Sequence, residues 1–290
     1  MTQTAIMSGK ICVVTGANSG IGKETALGLA RMGAHVVMVC RNAQKGKAAL
    51  EQIRRESDNR NVDLLLADLS SQAAVRELAK QIHENYARVD VLINNAGGGT
   101  GAGTLSTDGI EMTLAANHLG AALLTLLLLD LLKSSAPSRI INVSSEAHRS
   151  SKKIDLNNLP SVERNFRSGI EAYGRSKLLM NAFSFALASK LDGTGITCNC
   201  LHPGVVATNI FGQPTGWMRV ILMLMRPFLL SPKQGAVVSL WAATSADLAN
   251  VSGKYFVKSK DAESSPLSRD PKIQAEIWEW TQKMISERFS

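Results

Sequence analysis

Thr15-Gly16-Ala17-Asn18-Ser19-Gly20-Ile21-Gly22 joins a short apolar run at 11–15 to a helical pattern over 24–32 that stops at Gly33. Glycines spaced Gly-x-x-x-Gly-x-Gly permit a tight turn and let another group come close to the main chain. The following helix points free N–H groups and the positive end of its dipole at that turn. Strand, glycine turn and helix in this order make the first βα unit of an α/β sheet, where the pyrophosphate of a dinucleotide is held. The same glycines could serve a purely structural turn, and the spacing is not the Gly-x-Gly-x-x-Gly of most such sites. Their place at the first βα junction favours nucleotide binding.

The alternation continues outward from this loop. Strand-like runs fall at 35–40, 62–67, 89–94, 139–144, 196–201 and 255–257, and helical patterns at 43–56, 70–85, 114–132, 172–190 and 232–244. The runs are near-continuous Val, Ile and Leu, as in strands covered on both faces. An α/β fold follows: a doubly wound parallel sheet of about seven strands with helices on both faces. No linker or composition break divides residues 1–290, so one domain is expected. Two stretches stand outside the alternation, an apolar one with Pro and Gly at 209–231 and a polar loop at 261–271 before a final helix.

With 45% apolar and 19% charged residues, disorder and coiled coil are excluded for the chain as a whole. A net charge of +8 favours an anionic partner. A nucleic-acid binder would show a basic stripe with interleaved aromatics; aromatics are only 5% and the basic residues are scattered, so no nucleic acid is expected. Cys12, Cys40, Cys198 and Cys200 have no spacing that matches a zinc site and read as small core residues in a reducing compartment. No signal-peptide pattern opens the sequence, and no apolar stretch approaches the roughly 18 residues of a membrane span. A cytoplasmic protein without a metal is expected.

The end of the second strand bears on cofactor choice. An Asp or Glu there would bind the ribose 2′-hydroxyl of NAD. The sequence offers Cys40 and Arg41 instead. An Arg suits the 2′-phosphate of NADP, so NADP(H) is preferred, NAD(H) is the second choice, and a merely solvated Arg41 is the competing reading. Asp68 and Leu69 follow the third strand, where Asp68 could receive the adenine amino group. Helix capping competes for that role, with Asp68 or Ser70 as the cap.

Tyr173 and Lys177, in Tyr173-Gly174-Arg175-Ser176-Lys177, are four apart and share a helix face. An ammonium beside a phenol lowers its pKa and makes it a usable proton donor and acceptor. By itself the pair is a weak signal. Together with the 15–22 loop, Asn94-Asn95-Ala96-Gly97, Asn117, Asn142-Val143-Ser144-Ser145 and Pro203-Gly204, it resembles, in order and over residues 10 to about 257, the short-chain dehydrogenase/reductase family. Lys23-Glu24-Thr25, Cys40-Arg41, Asn117-His118-Leu119-Gly120, Ser144-Ser145-Glu146-Ala147-His148 and His202-Pro203-Gly204 resemble its retinol dehydrogenase-like branch, which also holds the WW domain-containing oxidoreductases.

The resemblance implies a Rossmann-type fold and a catalytic tetrad of Asn117, Ser145, Tyr173 and Lys177. Tyr173 would be general acid/base, and Ser145 would hydrogen-bond the substrate oxygen. Lys177 would hold the nicotinamide ribose and tune Tyr173, and Asn117 would keep a relay water. Gly16, Asn18, Ser19, Gly20, Ile21, Gly22, Arg41, Asp68, Leu69, Asn95, Ala96 and Gly97 would bind the cofactor. Pro203, Gly204, Val206 and Thr208 would flank its nicotinamide. Departures from the family are a long charged insertion over 149–167, a glycine-rich stretch over 97–103, and small residues at Ala116, Ala121 and Ala122 that widen the expected pocket.

The implied function is an NADP-preferring alcohol dehydrogenase/carbonyl reductase for a lipophilic alcohol, aldehyde or ketone. The alternative is a non-catalytic dinucleotide-binding regulatory or scaffold protein. Residues 217–230, apolar with two arginines, read as a lid over that substrate, with a membrane-surface helix or a plain core helix as alternatives. The eight leucines between 123 and 132 point to burial against a second subunit, hence a homodimer or homotetramer, with a buried core helix as the competing reading.

Overall fold

A computed structural model describes residues 5–99, 104–156, 169–206 and 229–286. Strand β1 (Ile11–Thr15) runs into the glycine turn, and α1 (Gly20–Arg31) starts inside it. The helix opens earlier than its apolar pattern indicates, because Gly20 and Gly22 carry no side chain that periodicity registers. Then come β2 (His35–Cys40), α2 (Ala43–Ser57), β3 (Val62–Leu66), α3 (Gln72–Asn85) and β4 (Val91–Asn94). The expected single helix over 114–132 is instead α4 (Met112–Leu114), a π-turn (Ala115–Leu119), α5 (Gly120–Leu127) and α6 (Leu129–Lys133), broken at Leu128. Apolar periodicity persists through both interruptions and so conceals them.

The remainder comprises β5 (Ser138–Val143), a 3-10 turn (Glu146–Ser150), α7 (Gly169–Lys190), β6 (Ile196–His202) and α8 (Pro232–Thr244). β7 (Tyr255–Val257), β8 (Lys260–Ala262), α9 (Pro266–Arg269) and α10 (Pro271–Ser286) complete it. The sheet order is β3-β2-β1-β4-β5-β6-β7-β8. The first seven strands pair in parallel, and β8 pairs antiparallel with β7. The stretch read as a polar loop therefore holds an edge strand and a short helix. The hairpin turn that makes β8 uses Lys258 and Ser259 at φ 51 and 57. Asn or Gly normally announces such a turn, and neither stands there.

Alternate side chains on each strand enter opposite layers. Val13, Val37, Leu92 and Ile140 pack with α3, α5 and α7, while Cys12, Val14, Val36, Met38, Ile93 and Ile141 pack with α1, α2 and α8. All four cysteines are buried and free. Of the leucines between 123 and 132, Leu123, Leu124, Leu128, Leu131 and Leu132 are buried, and Leu126, Leu127 and Leu129 pack partly buried on the same core. The chain thus covers these leucines itself, and their number alone calls for no second subunit. Helix α10 closes the same layer: Trp278 stacks on Phe183 at 5.3 Å, and Gln72 and Arg76 of α3 donate to the carbonyls of Met284 and Ile285.

The expected lid over 209–231 lies outside the described residues except for its end, as does Thr208. There Leu230 bridges Val206 in parallel, and Ser231 forms a capping box with Gln234 at the start of α8. Among the described residues no helix is long and apolar enough to cross a membrane.

Gly120 stands where the π-turn passes into α5, and a Cβ there would strike the carbonyl of Leu69. Main chain on both sides leaves little room to yield. Gly120→Ala is expected to destabilise the protein by about 1–3 kcal/mol, the usual scale of overpacking. An unchanged urea midpoint would contradict this packing.

Candidate active site

Beside β1 the sheet order reverses, and the chain leaves β1 and β4 toward opposite faces, opening a crevice at their carboxyl ends. The buried Thr15 hydroxyl donates to the carbonyl of Ile93 at 3.3 Å and accepts the N–H groups of Asn95 and Ala96 at 3.0 and 2.9 Å. Asn95 returns a bond to the Thr15 carbonyl at 2.8 Å. The loops after β1 and β4 are thereby joined. A Cβ on Gly16 would lie 2.9 Å from both Ala96 Cα and Asn95 Nδ2, and one on Gly22 would strike Asn95 and the Gly16 carbonyl. Gly16 and Gly20 also hold φ of 69° and 55°.

A cavity of about 400 Å³ opens over this joint. Of the residues assigned to the site from the sequence, Gly16, Asn18, Ser19, Gly20, Ile21, Gly22, Arg41, Asp68, Leu69, Asn95, Ala96, Gly97, Asn117, Tyr173, Lys177 and Pro203 line it. Ser145, Gly204 and Val206 are not on its wall. Gly204 instead lets Leu230 pack closely, since a Cβ there would lie 2.5 Å from Leu230 Cδ1. Ala116 lines the cavity, whereas Ala121 and Ala122 are buried in the core. The cradle suits a dinucleotide pyrophosphate: the Ser19 hydroxyl makes no cap bond, and α1 has no acid in its first turn. First-turn N–H groups remain for an anion.

At the β2 end, Arg41 is 71% exposed and donates to Asp68 Oδ2 at 3.3 Å. Asp68 Oδ1 accepts from Ser70 N and Oγ at 3.0 and 2.7 Å. Burial acts to raise the Asp68 carboxyl, but these partners outweigh it and hold it below its ordinary value. The cap of α3 is Ser71, which accepts from Ala74. Neither capping candidate read from the sequence fills that place, because the Asp68–Ser70 turn ends one residue before it.

The opposite end gathers the tetrad. Asn117 sits on the π-turn, where Oδ1 accepts Gly98 N–H at 3.0 Å and Nδ2 donates to Gly98 O and Ser176 Oγ, each at 3.0 Å. Ser176 donates to the Tyr173 carbonyl at 2.8 Å, so Asn117 is tied to the helix that carries Tyr173 and Lys177. The neighbouring His118 shares a 2.8 Å hydrogen bond with Thr281 of α10. Buried Lys177 donates to the Val143 carbonyl at 2.7 Å and lies 5.7 Å from the Tyr173 ring centre. Burial pushes its ammonium down to about 8.

Burial also pushes the Tyr173 phenol above its ordinary value, against a hydrogen bond from Ser145 that favours the phenolate. The lowering expected from Lys177 is therefore not seen in the protein alone, because desolvation dominates. Of the serine pair, Ser145 is the one bonded to Tyr173, while Ser144 Oγ is buried without a partner among the described residues. Thr15, Gly98 and Ser176 have no role in the sequence reading. Only tertiary contacts reveal them, since each acts by bonding residues far along the chain.

Residues 10–154 match the short chain dehydrogenase family model. Human retinol dehydrogenase 13 is 41% identical, over 97% of this chain and 86% of that protein. Bovine dehydrogenase/reductase SDR family member 13 is 40% identical, over 97% of this chain and 74% of that one. An uncharacterized Mycobacterium paratuberculosis protein superposes with a TM-score of 0.77 at 29% identity, over all of both chains. A short chain dehydrogenase from Shigella flexneri, solved with NADP, gives 0.69 at 25% identity, over 87% of this chain and 98% of that one. The chain belongs to the short-chain dehydrogenase/reductase family, in its retinol dehydrogenase-like branch. That is a family of oxidoreductases that bind a nicotinamide dinucleotide.

Gly174 lets α7 lie against the turn that starts at Ser145: a Cβ there would lie 2.6 Å from the Ala147 carbonyl and would strike Ser150 Oγ. Gly174→Ala should push Tyr173 away from Ser145 and lower turnover about 10- to 100-fold, the usual effect of an ångström of misplacement. Dinucleotide affinity, measured by fluorescence titration, should fall far less, since the glycine cradle lies on β1 and α1 and not on α7. A variant with unaltered turnover contradicts the contact.

Proposed function

We propose that this protein is an NADP-preferring oxidoreductase that moves a hydride between nicotinamide and a lipophilic alcohol, aldehyde or ketone. The observation that carries this reading is the meeting of Tyr173, Lys177 and Asn117 on the wall of the glycine-cradled cavity, with Ser145 bonded to Tyr173. A bound nicotinamide supplies or accepts the hydride at C4. In the reducing direction, the Tyr173 phenol gives its proton to the substrate oxygen, and Ser145 donates a hydrogen bond to that oxygen as charge develops. Lys177, with an ammonium pushed down to about 8, can hold or release a proton near neutral pH, and it would hold the nicotinamide ribose of a bound dinucleotide. Asn117 keeps the Lys177 end of α7 in register through Ser176. The buried lysine beside a paired phenol supports catalysis over an inert scaffold.

Arg41, exposed at the cavity rim with no acid closing β2, supports recognition of a 2′-phosphate. Exposed apolar side chains support the lipophilic substrate: Ile170, one turn before Tyr173, is 58% exposed, and Val205, beside Gly204, is 64% exposed. Four buried free cysteines fit a cytoplasmic, reducing setting.

Aldehydes, ketones and matching alcohols of increasing chain length, assayed with NADPH and NADH, test this reading. kcat/KM is expected to rise with length and then level off, each buried CH₂ being worth about 0.8 kcal/mol. Tyr173→Phe should bind dinucleotide but lose turnover by about 100-fold or more. Preference for small polar carbonyls sinks the substrate class, and a fast Tyr173→Phe enzyme sinks the acid/base role. Arg41→Ala should weaken NADPH by about 1.5–3 kcal/mol, the scale of hydrogen bonds to charged groups, and NADH far less. A wild type that already favours NADH removes the argument from Arg41.

A further inference from the structure

His148 is fully buried, lies three residues after Ser145 and lines no part of the cavity. Its main-chain N–H and its ring Nδ1 both reach the Ser145 carbonyl, at 3.1 and 2.6 Å. On the other side, Nε2 receives the N–H of Ser265 at 2.9 Å. A peptide N–H only donates and a carbonyl oxygen only accepts. Nε2 must therefore carry the lone pair and Nδ1 the proton, so the partners fix the tautomer. The Tyr255 ring packs edge-on against the imidazole at 5.1 Å, and its phenol donates to Glu146 at 2.8 Å. Burial pushes the ring's pKa below its ordinary value and keeps it neutral. The Ser145 hydroxyl meanwhile accepts the N–H of Ala147 at 3.2 Å, so the turn grips this serine by main chain and side chain alike.

We propose that His148 is a positioning residue for Ser145: the Nδ1–H imidazole ties the Ser145 carbonyl to the Ser265 peptide and thereby aims the Ser145 hydroxyl at Tyr173 and the substrate oxygen. This rests on the reading that Ser145 binds that oxygen. It brings the segment before α9 into the working site. Ser265 lies 120 residues along the chain from Ser145 and supplies only a peptide N–H. The reacting end of the site thus depends on a part of the chain that does not line the dinucleotide cavity.

Nitrogen NMR of histidine-labelled wild-type protein reads the tautomer, with the His148 signals assigned by their loss in His148→Gln. The expected result at neutral pH is a protonated Nδ1 and a bare Nε2. A protonated Nε2 overturns the proposal, and this arm needs no variant to be active. In kinetics, His148→Phe keeps the ring but loses both bonds. kcat should fall about 10- to 100-fold while KM for the preferred dinucleotide stays within about twofold. His148→Gln, whose carboxamide carries both a donor and an acceptor, should recover most of kcat. Equal losses in the two variants, or a dinucleotide KM that rises as much as kcat falls, mean a merely structural role and overturn the proposal. Ser145→Ala assayed alongside separates the two readings. If it turns over normally, the role given to Ser145 fails; if it is inactive while His148→Phe is fully active, only the role of His148 fails.

Discussion

The bonds of the Thr15 hydroxyl hold the site together. One oxygen, at the end of β1, donates to β4 and accepts two consecutive N–H groups from the loop beyond it. Those bonds bring Asn95 and Ala96 so close to the first loop that only glycine fits at 16 and 22. The glycine pattern therefore answers two demands, room for an anion above and contact with a neighbouring loop below. Buried and fully engaged, this junction is favoured by the low local dielectric, where an unmet polar group would be costly.

The reacting end is built by a different constraint, the approach of α7 to the turn after β5. Gly174 permits the contact, Ser176 ties α7 to Asn117, and Lys177 reaches the Val143 carbonyl at the end of β5. These three contacts hold the helix within a single turn. Buried packing from α10 closes over the other side, through Trp278 on Phe183 and Thr281 on His118. Cradle and reacting end meet in the loop after β4, where Asn95 and Ala96 bond Thr15 and Gly98 bonds Asn117.

Most of the fold was legible because the strands are short apolar runs with helices between them, and the first βα turn announces itself by glycine. The interruptions were not. The π-turn that carries Asn117 lies inside an unbroken apolar pattern, and the β7–β8 hairpin turns on Lys258 and Ser259, which give no turn signal. The loop residues stood out by their glycine spacing, and Tyr173 and Lys177 only together with the family motifs around them. The direction of the Tyr173 pKa was not, since burial depends on the whole fold and outweighs the hydrogen bond that opposes it. Thr15 and Ser176 were hidden for a related reason: a hydroxyl's partners are known only once distant segments meet.

Whether this cavity performs chemistry or only holds a dinucleotide can be read in one measurement. The protein is incubated with NADPH deuterated at nicotinamide C4, in each of its two stereospecifically labelled forms, and a long-chain aldehyde, and the alcohol is analysed by mass spectrometry. Direct hydride transfer predicts one deuterium on the carbinol carbon from one labelled form and none from the other. Dinucleotide binding with no labelled alcohol from either form, across aldehydes and ketones alike, would contradict the assignment of this site to hydride transfer.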